Sequence, residues 1–155
     1  MSSLPISQAW RRHTLAWECG TGSGQATLGL AAHFEHVIAT DASAELLAQA
    51  PAHARIEYRQ EYAEQPSLAL HSVALATVAV AAHWFDLPTF YQVVGQVLKP
   101  RGVIAVWTYH LPIIEPSIDL VIAHFYGAVL AAYWPERFAY VADNYTSLPF
   151  PFAEL

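Results

Sequence analysis

The feature that most restricts the fold of this chain is a glycine-rich turn between an apolar strand and a helix. Residues 20–24 are Gly-Thr-Gly-Ser-Gly and follow a predicted strand at residues 14–18. From Thr27 to Phe34, side chains suited to a core recur at the spacing of one helical face. Glycines at such a turn let the backbone change direction sharply and let a ligand approach the main chain. This arrangement is typical of α/β folds that bind nucleoside-containing ligands.

Strands and helices alternate along most of the remaining chain. Helices are expected to begin after Ser43 and Asp86, because either side chain can cap a helix N-terminus. Such alternation predicts a parallel sheet, since parallel strands need crossover connections. We predict an α/β fold, a Rossmann-like doubly wound sheet of five parallel strands in the order 3-2-1-4-5. After the first strand, the others are predicted at residues 36–40, 55–59, 73–80 and 103–107.

Two acidic residues help to distinguish between the ligands that glycine turns bind. Dinucleotide-binding turns have a third glycine where this chain has Gln25, because a pyrophosphate rests on the helix N-terminus. Here the third glycine comes one residue earlier, at Gly24, and Glu18 precedes the first glycine by two residues. This spacing suits S-adenosylmethionine (SAM), which has no pyrophosphate and carries an ammonium group that a carboxylate can favour.

The second acidic residue is Asp41, at the end of the second predicted strand. It follows the turn by about 20 residues, where an acidic side chain commonly accepts hydrogen bonds from ribose hydroxyls. Two alternatives that involve no ligand remain open. The glycine turn could be a tight turn that binds nothing, and Asp41 could only cap a helix before Ser43. A nicotinamide-dependent oxidoreductase is disfavoured by Gln25.

Composition argues against several kinds of partner. The formal net charge is −6 and Lys plus Arg number only 7, so we expect no nucleic-acid binding. Cys19 is the single cysteine, and His33 with His36 lacks a third ligand at metal spacing, so no metal site is predicted. No stretch reaches the roughly 18 apolar residues of a membrane span, and residues 1–12 contain no apolar run. We therefore expect no membrane association and a cytoplasmic location.

The chain resembles class I SAM-dependent methyltransferases of the methyltransferase type 11 kind, and looks closest to their trans-aconitate methyltransferase-like branch. The resemblance covers nearly the whole chain from about Leu15 onward. The glycine turn and the His-Trp-Phe-Asp segment at residues 83–86 are specific, whereas Leu-Lys-Pro-x-Gly at residues 98–102 recurs across many class I enzymes. The matching segments are residues 16–27, 37–43, 63–64, 82–86, 97–103 and 145–152.

The resemblance implies SAM as cofactor and assigns positions that would bind it. The methionine part would lie at the glycine turn, the ribose at Asp41, and the adenine beside Tyr62 and Ala63. Val80 to His83 would face the reacting methyl group. The full set of implied cofactor-binding residues is Glu18, Gly20, Gly22, Gly24, Asp41, Tyr62, Ala63 and Val80.

His83 is the candidate catalytic residue. A neutral imidazole beside the methyl group could accept a proton from an attacking hydroxyl, and the ordinary pKa of histidine suits that role near neutral pH. His83 could instead contact the substrate or pack against Trp84 and Phe85. A carboxylate acceptor is already ionised and would need no base.

Several features depart from the pattern of the relatives. They often carry an acidic residue at the position of Tyr62, Asp at that of Ala74 and Gln at that of Val80. They also begin before this chain and continue beyond it through further strands, so the fold is expected to be incomplete at both ends. An open sheet edge, or an apolar helix predicted at residues 117–134, would then favour self-association.

Two functions remain open from the sequence. The first is transfer of a methyl group from SAM to a small-molecule acceptor, a carboxylate or a hydroxyl. The second is a truncated or decayed methyltransferase-like protein that binds SAM weakly or serves as an interaction module. In either case we expect residues 1–155 to form one SAM-binding domain, with residues 110–155 forming a helical and irregular segment on the substrate side.

Overall fold

A computed structural model of the chain describes residues 15–109 and 111–153. Five strands form one sheet in the order β3-β2-β1-β4-β5, which confirms the predicted fold class and strand order. Trp17 of β1 pairs in parallel with Ile38 of β2 and with Ala76 of β4. The strands are β1 (Leu15–Cys19), β2 (His36–Asp41), β3 (Ile56–Gln60), β4 (Val73–Ala79) and β5 (Leu98–Trp107).

Helices cover both faces of this sheet. Three helices connect its strands: α1 (Thr27–Ala31), α2 (Ala44–Leu47) and α3 (Leu87–Val97). On one face, Ala16 of β1 packs in a buried cluster with Ala31 of α1 and with Phe34 just after it. On the other, Trp17 lies against Phe90 of α3, with ring centroids 6.0 Å apart. Because neighbouring residues of a strand point to opposite faces, the two contacts establish the doubly wound arrangement.

The central strands are buried as the sequence predicts. Most residues of β4 are inaccessible on both faces, which suits its run of β-branched and small apolar side chains. Trp17 is fully buried, and its indole N–H donates to the Thr40 hydroxyl at 3.0 Å. This bond satisfies the one polar atom of the largest core side chain and ties β1 to β2.

Ser43 and Asp86 both stand at helix N-termini, but only Ser43 caps its helix with its side chain. The Ser43 hydroxyl accepts from the backbone N–H of Leu46 at 3.2 Å. The Asp86 carboxylate instead accepts from the hydroxyl of Thr89 at 2.7 Å, and no cap bond to the backbone forms. Asp86 therefore stands at the helix N-terminus as predicted, but the predicted hydrogen bond from the helix backbone to its side chain does not form.

Strand β5 begins earlier than the sequence pattern indicates. Leu98 continues the apolar stripe of α3 and is buried, yet its backbone is extended, with ψ at 137°. Pro100 cannot continue a helix, and Arg101 turns the chain at a positive φ of 68°. A buried apolar residue at helical spacing can thus belong to the next strand when a proline follows closely.

Contacts divide the chain into two compact units, with the boundary between Val106 and Trp107. The second unit contains α4 (Pro116–His124) and α5 (Ala139–Ala142). The prediction of one regular helix over residues 117–134 was wrong in its length. The α-helix ends at His124, and a π-helical turn follows at Phe125–Val129. Gly127 lies within this turn and favours helix weakly. Among the described residues, no helix has the length and apolar character needed to cross a bilayer.

Candidate functional site

The carboxyl ends of β1, β2 and β4 open on a cavity of about 420 Å³. This is the edge of the sheet at which the strand order reverses between β1 and β4, where α/β folds of this kind bind ligands. Four connections that follow strands supply most of its lining: Gly20 and Gly22 after β1, residues 41–43 after β2, residues 61–64 after β3, and residues 79–81 with 84–85 after β4.

Asp41 joins two of these connections. One carboxylate oxygen accepts from the backbone N–H of Gly22 at 2.7 Å, and the other accepts from that of Ser43 at 2.9 Å. Both bonds hold the carboxylate at the cavity wall without using all of its acceptor positions. Asp41 can therefore fix the glycine turn and still accept from a ligand's hydroxyl groups.

Gly20 lies where the glycine turn approaches the end of β4. It has a φ of 66°, and a β-carbon there would lie 2.5 Å from the β-carbon of Ala81 and 3.2 Å from the Phe85 ring. A glycine is required for both reasons, since the conformation is left-handed and the space is filled. The turn is thereby brought close enough to β4 for both to line one cavity.

Glu18 lies behind the turn, outside the residues that line the cavity. Its side chain is buried and accepts from the hydroxyls of Thr21, at 3.1 Å, and Thr27. Burial raises the pKa of Glu18, and the two hydroxyl contacts oppose that rise. Gly24 is also outside the lining, and a β-carbon there would lie 2.6 Å from the Tyr58 hydroxyl.

The connection after β3 carries the predicted Tyr62 and Ala63 and two carboxylates that the sequence analysis did not assign. Tyr62 is 66% exposed and Ala63 is buried, and both line the cavity. Glu61 accepts from the backbone N–H of Ser67 at 3.0 Å. Glu64 accepts from the backbone N–H of Asp86 at 2.7 Å, which links this connection to the segment after β4.

The segment after β4 contains Val80 and His83. Val80 lines the cavity and has a φ of 54°, a conformation that β-branched residues rarely adopt. His83 is buried and lies outside the lining, with its ring 4.8 Å from that of Trp84. Burial lowers the pKa of His83, which favours a neutral imidazole. The residue that reaches the cavity from this turn is Trp84, which the sequence analysis did not assign to the site.

The charges around the cavity are acidic. Asp41, Glu61 and Glu64 line it, and no Lys, Arg or His side chain does so among the residues that the structure describes. An acidic wall attracts a net-positive ligand and repels the pyrophosphate of a dinucleotide. This lining fits SAM, whose sulfonium and ammonium exceed its single carboxylate in charge.

The class defined by this fold and site is a nucleoside-binding α/β domain of methyltransferase type. Residues 17–106 match the family model described as a methyltransferase domain. The chain belongs to this family, which confirms the resemblance at that level. The trans-aconitate methyltransferase-like branch remains a prediction.

Individual relatives agree with the family assignment. A Dictyostelium discoideum protein described as a putative methyltransferase is 36% identical over 149 residues, which are 94% of this chain and 57% of the relative. A Saccharomyces cerevisiae protein described as a probable SAM-dependent methyltransferase is 29% identical over 103 residues, or 61% of this chain and 35% of that protein.

A solved structure is also similar. The structure described as a putative type II methyltransferase from Anaeromyxobacter dehalogenans has a TM-score of 0.83 and 41% identity, covering 96% of this chain and 63% of that chain. The chain thus spans 57% of the Dictyostelium protein and 63% of the Anaeromyxobacter chain. The cofactor that the family implies is SAM, and the acidic cavity beside Asp41 fits it.

Proposed function

We propose that the chain binds SAM in the cavity at the ends of β1, β2 and β4 and takes part in methyl transfer to a small-molecule acceptor. The observation that carries this proposal is the Asp41 carboxylate, which is held between Gly22 and Ser43 at the wall of an acidic cavity. A bound SAM supplies a methyl group on a positively charged sulfur, which is already a reactive donor. The chain's own residues then have to bind, orient and exclude water.

Asp41 is proposed to accept from the two ribose hydroxyls. Tyr62 and Ala63 would border the adenine, with Ala63 contributing its backbone and Tyr62 its exposed ring. Gly22, which has open space where a β-carbon would stand, leaves room for the methionine part at the start of α1, and Gly20 brings the turn close to β4. We propose that the negative charge of Glu18 attracts the ligand's ammonium from behind the glycine turn. The Glu18 carboxylate accepts from the Thr21 hydroxyl and so also fixes that turn.

The acceptor is proposed to be a carboxylate or a hydroxyl. A carboxylate would need only alignment with the methyl group, because it is ionised at neutral pH. A hydroxyl would need a proton acceptor, and His83 is the candidate base that the resemblance implies, although the side chain is buried and lies outside the cavity lining. The variant His83→Ala should then lose methyl transfer while it still binds SAM, as compared by a transfer assay and by calorimetry. Equal loss of both would assign His83 to the fold, and unchanged transfer would remove it from the reaction.

The binding proposal is tested by calorimetric titration with SAM and NAD side by side. Asp41→Asn should weaken SAM binding by at least about ten-fold, since a hydrogen bond to a charged group contributes about 1.5–3 kcal/mol. Asp119→Asn is the matched control, because Asp119 lies on α4 and accepts only from the backbone N–H of Ile114 among the bonds described. Binding of NAD without SAM, or equal SAM affinity in both variants, would exclude the proposal.

A second candidate function is an interaction module, and the second unit favours it. Many of its large apolar side chains are exposed, including Ile113 at 90%, Leu120 at 72% and Val121 at 68%. Such a surface is typical of protein contacts. Among the described residues β5 is the last strand on its side of the sheet, and its outer edge offers a further route to self-association. Light scattering on the purified chain tests this candidate: association is expected, and a monodisperse monomer with a sharp, high-temperature unfolding transition would count against it.

A further inference from the structure

Three buried oxygen atoms form a cluster behind the glycine turn. One oxygen of the Glu18 carboxylate, Oε2, accepts from the hydroxyl of Thr21 at 3.1 Å and from that of Thr27. These two hydroxyls also lie 2.6 Å from each other. All three side chains are buried. Each oxygen of the cluster is therefore within hydrogen-bond distance of the other two.

The number of protons in this cluster depends on the state of Glu18. An ionised carboxylate only accepts, and each threonine hydroxyl has one proton to donate. Two protons would then have to serve three contacts between oxygen atoms. A protonated carboxyl group supplies the third proton, so that each contact becomes a hydrogen bond and the three follow one another in a ring. The geometry of the cluster therefore suits a neutral Glu18.

Glu18 also belongs to a row of side chains that crosses the sheet. It pairs with Ala39 of β2, which pairs with Tyr58 of β3, and on its other side it pairs with Thr77 of β4. Paired residues of neighbouring parallel strands point to the same face of a sheet. None of these three residues is basic, so the row offers no positive charge to an ionised Glu18.

The pKa shifts in this region agree with the proton count. Burial raises the pKa of Glu18, and the hydroxyls of Thr27 and Thr21 oppose that rise. Burial also raises the pKa of Tyr58 and of the neighbouring Cys19, and the charge of Glu18 contributes to both shifts. Tyr58 and Cys19 therefore keep their own protons near neutral pH and cannot account for a proton that is released there.

We propose that Glu18 holds a proton before SAM binds and releases it when the ligand's ammonium reaches the glycine turn. The O–H bond of the carboxyl group breaks, its electron pair stays on oxygen, and the proton passes to the solvent. The negative charge then stabilises the ammonium, since opposite charges attract more strongly where water is excluded. The proposal rests on the proposed function, because it assumes that the methionine part of SAM binds at this turn.

Calorimetric titration at about pH 6, in two buffers with different enthalpies of ionisation, measures the protons released on binding. The α-amino group of SAM is already charged under these conditions, because such groups ionise near pH 8. The unaltered chain should release up to one proton for each SAM bound, and Glu18→Gln should release none. Asp119→Asn is the matched control, since it makes the same change at a carboxylate on α4 that does not line the cavity, and it should release as much as the unaltered chain.

Two further ligands identify the group that causes the release. S-adenosylhomocysteine keeps the ammonium and has a neutral sulfur, so it should release the proton as SAM does. Methylthioadenosine keeps the nucleoside and has no ammonium, so it should release none. Equal release with SAM and with methylthioadenosine would overturn the inference, because the ammonium would then not be responsible.

Two substitutions of Thr27 keep the test decisive if Glu18→Gln misfolds. Thr27→Ser retains the hydroxyl and should behave as the unaltered chain does. Thr27→Val removes a donor to the ionised carboxylate, so SAM affinity should fall at least about two-fold more at pH 6 than at pH 8. An equal fall at the two pH values would contradict the proposal, and circular dichroism on each variant checks that the fold is retained.

The outcomes separate this proposal from the one on which it rests. If the unaltered chain binds SAM without releasing a proton, or if Glu18→Gln releases as much as the unaltered chain, the inference is wrong while SAM binding stands. Absence of SAM binding in the unaltered chain would instead refute the proposed function.

Discussion

The glycine turn allows a quantitative test in which two similar substitutions should have different costs. Gly20 and Gly22 both have left-handed backbones, with φ at 66° and 56°. A β-carbon at Gly20 would lie 2.5 Å from the β-carbon of Ala81, whereas nothing lies within 4 Å of one at Gly22. Replacing each by alanine therefore imposes the same kind of backbone strain but adds a steric overlap only at Gly20.

The magnitudes follow from these two terms. An alanine in the left-handed region costs roughly 1–2 kcal/mol, and restricting the unfolded chain returns about 0.4–1 kcal/mol of this. Gly22→Ala should thus lower the free energy of unfolding by about 1 kcal/mol. Gly20→Ala adds overpacking of about 1–3 kcal/mol, because the Ala81 β-carbon cannot move without the backbone of a buried segment. The expected total at Gly20 is about 2–4 kcal/mol.

Urea unfolding of the two variants and the unaltered chain measures the difference, and SAM titration reports whether the cavity survives. Gly29→Ala serves as a control, since Gly29 lies in α1 with open space around it and should gain about 0.5–1 kcal/mol as alanine. If Gly20→Ala and Gly22→Ala cost the same, the close approach of the turn to β4 is not what requires glycine at position 20.

Two further predictions concern strain and buried charge. Val80→Gly should raise the free energy of unfolding by up to about 1 kcal/mol, because it relieves a left-handed valine with φ at 54°. Ala79→Gly is the control and should lower that free energy by about 0.5–1 kcal/mol. If Val80→Gly instead lowers the free energy of unfolding, the packing of the valine side chain stabilises the fold by more than its backbone strain destabilises it. Burial raises the pKa of Glu18, so the folded chain holds that proton to higher pH than the unfolded chain and loses stability as pH rises. Glu18→Gln should flatten this slope above about pH 4, the ordinary pKa of the carboxyl group, in urea unfolding, and an unchanged slope would contradict the assignment.

The alternating pattern was sufficient to predict the sheet because periodicity and connection length restrict strand order strongly. The first strand, the glycine turn and Asp41 were predicted from local spacing, and all three lie at the edge where the cavity opens. Strand β4 begins at Val73 as predicted and ends one residue earlier than predicted, at Ala79, because Val80 has a left-handed backbone. The pattern was least informative after residue 110, where apolar residues surround the predicted helix on all sides and indicate no single buried face.

The contribution of the two carboxylates in the connection after β3, Glu61 and Glu64, could not be predicted from local sequence. Glu64 reaches the backbone N–H of Asp86, 22 residues away, and this contact depends on how two connections meet in the folded sheet. No spacing rule links these residues, although Glu64 stands directly beside the expected Ala63. Trp84 was missed for a related reason: His83 was the obvious titratable side chain, but the 3-10 turn buries it and exposes its neighbour.

The acidic residues of the cavity connect its shape with its charge. The three carboxylates accept from backbone N–H groups in three places. Asp41 accepts from the glycine turn, Glu61 from Ser67 a few residues further along the chain, and Glu64 from Asp86 at the start of α3. Glu61 and Glu64 each accept one backbone N–H, a bond that a neutral amide oxygen could also accept, whereas Asp41 uses both of its oxygens. At Glu61 and Glu64 the negative charge is therefore not needed to hold the backbone in place, and its presence there is better explained by a positively charged ligand. A cavity lined by three carboxylates, and by no basic side chain among the described residues, favours a positively charged ligand over a neutral or anionic one.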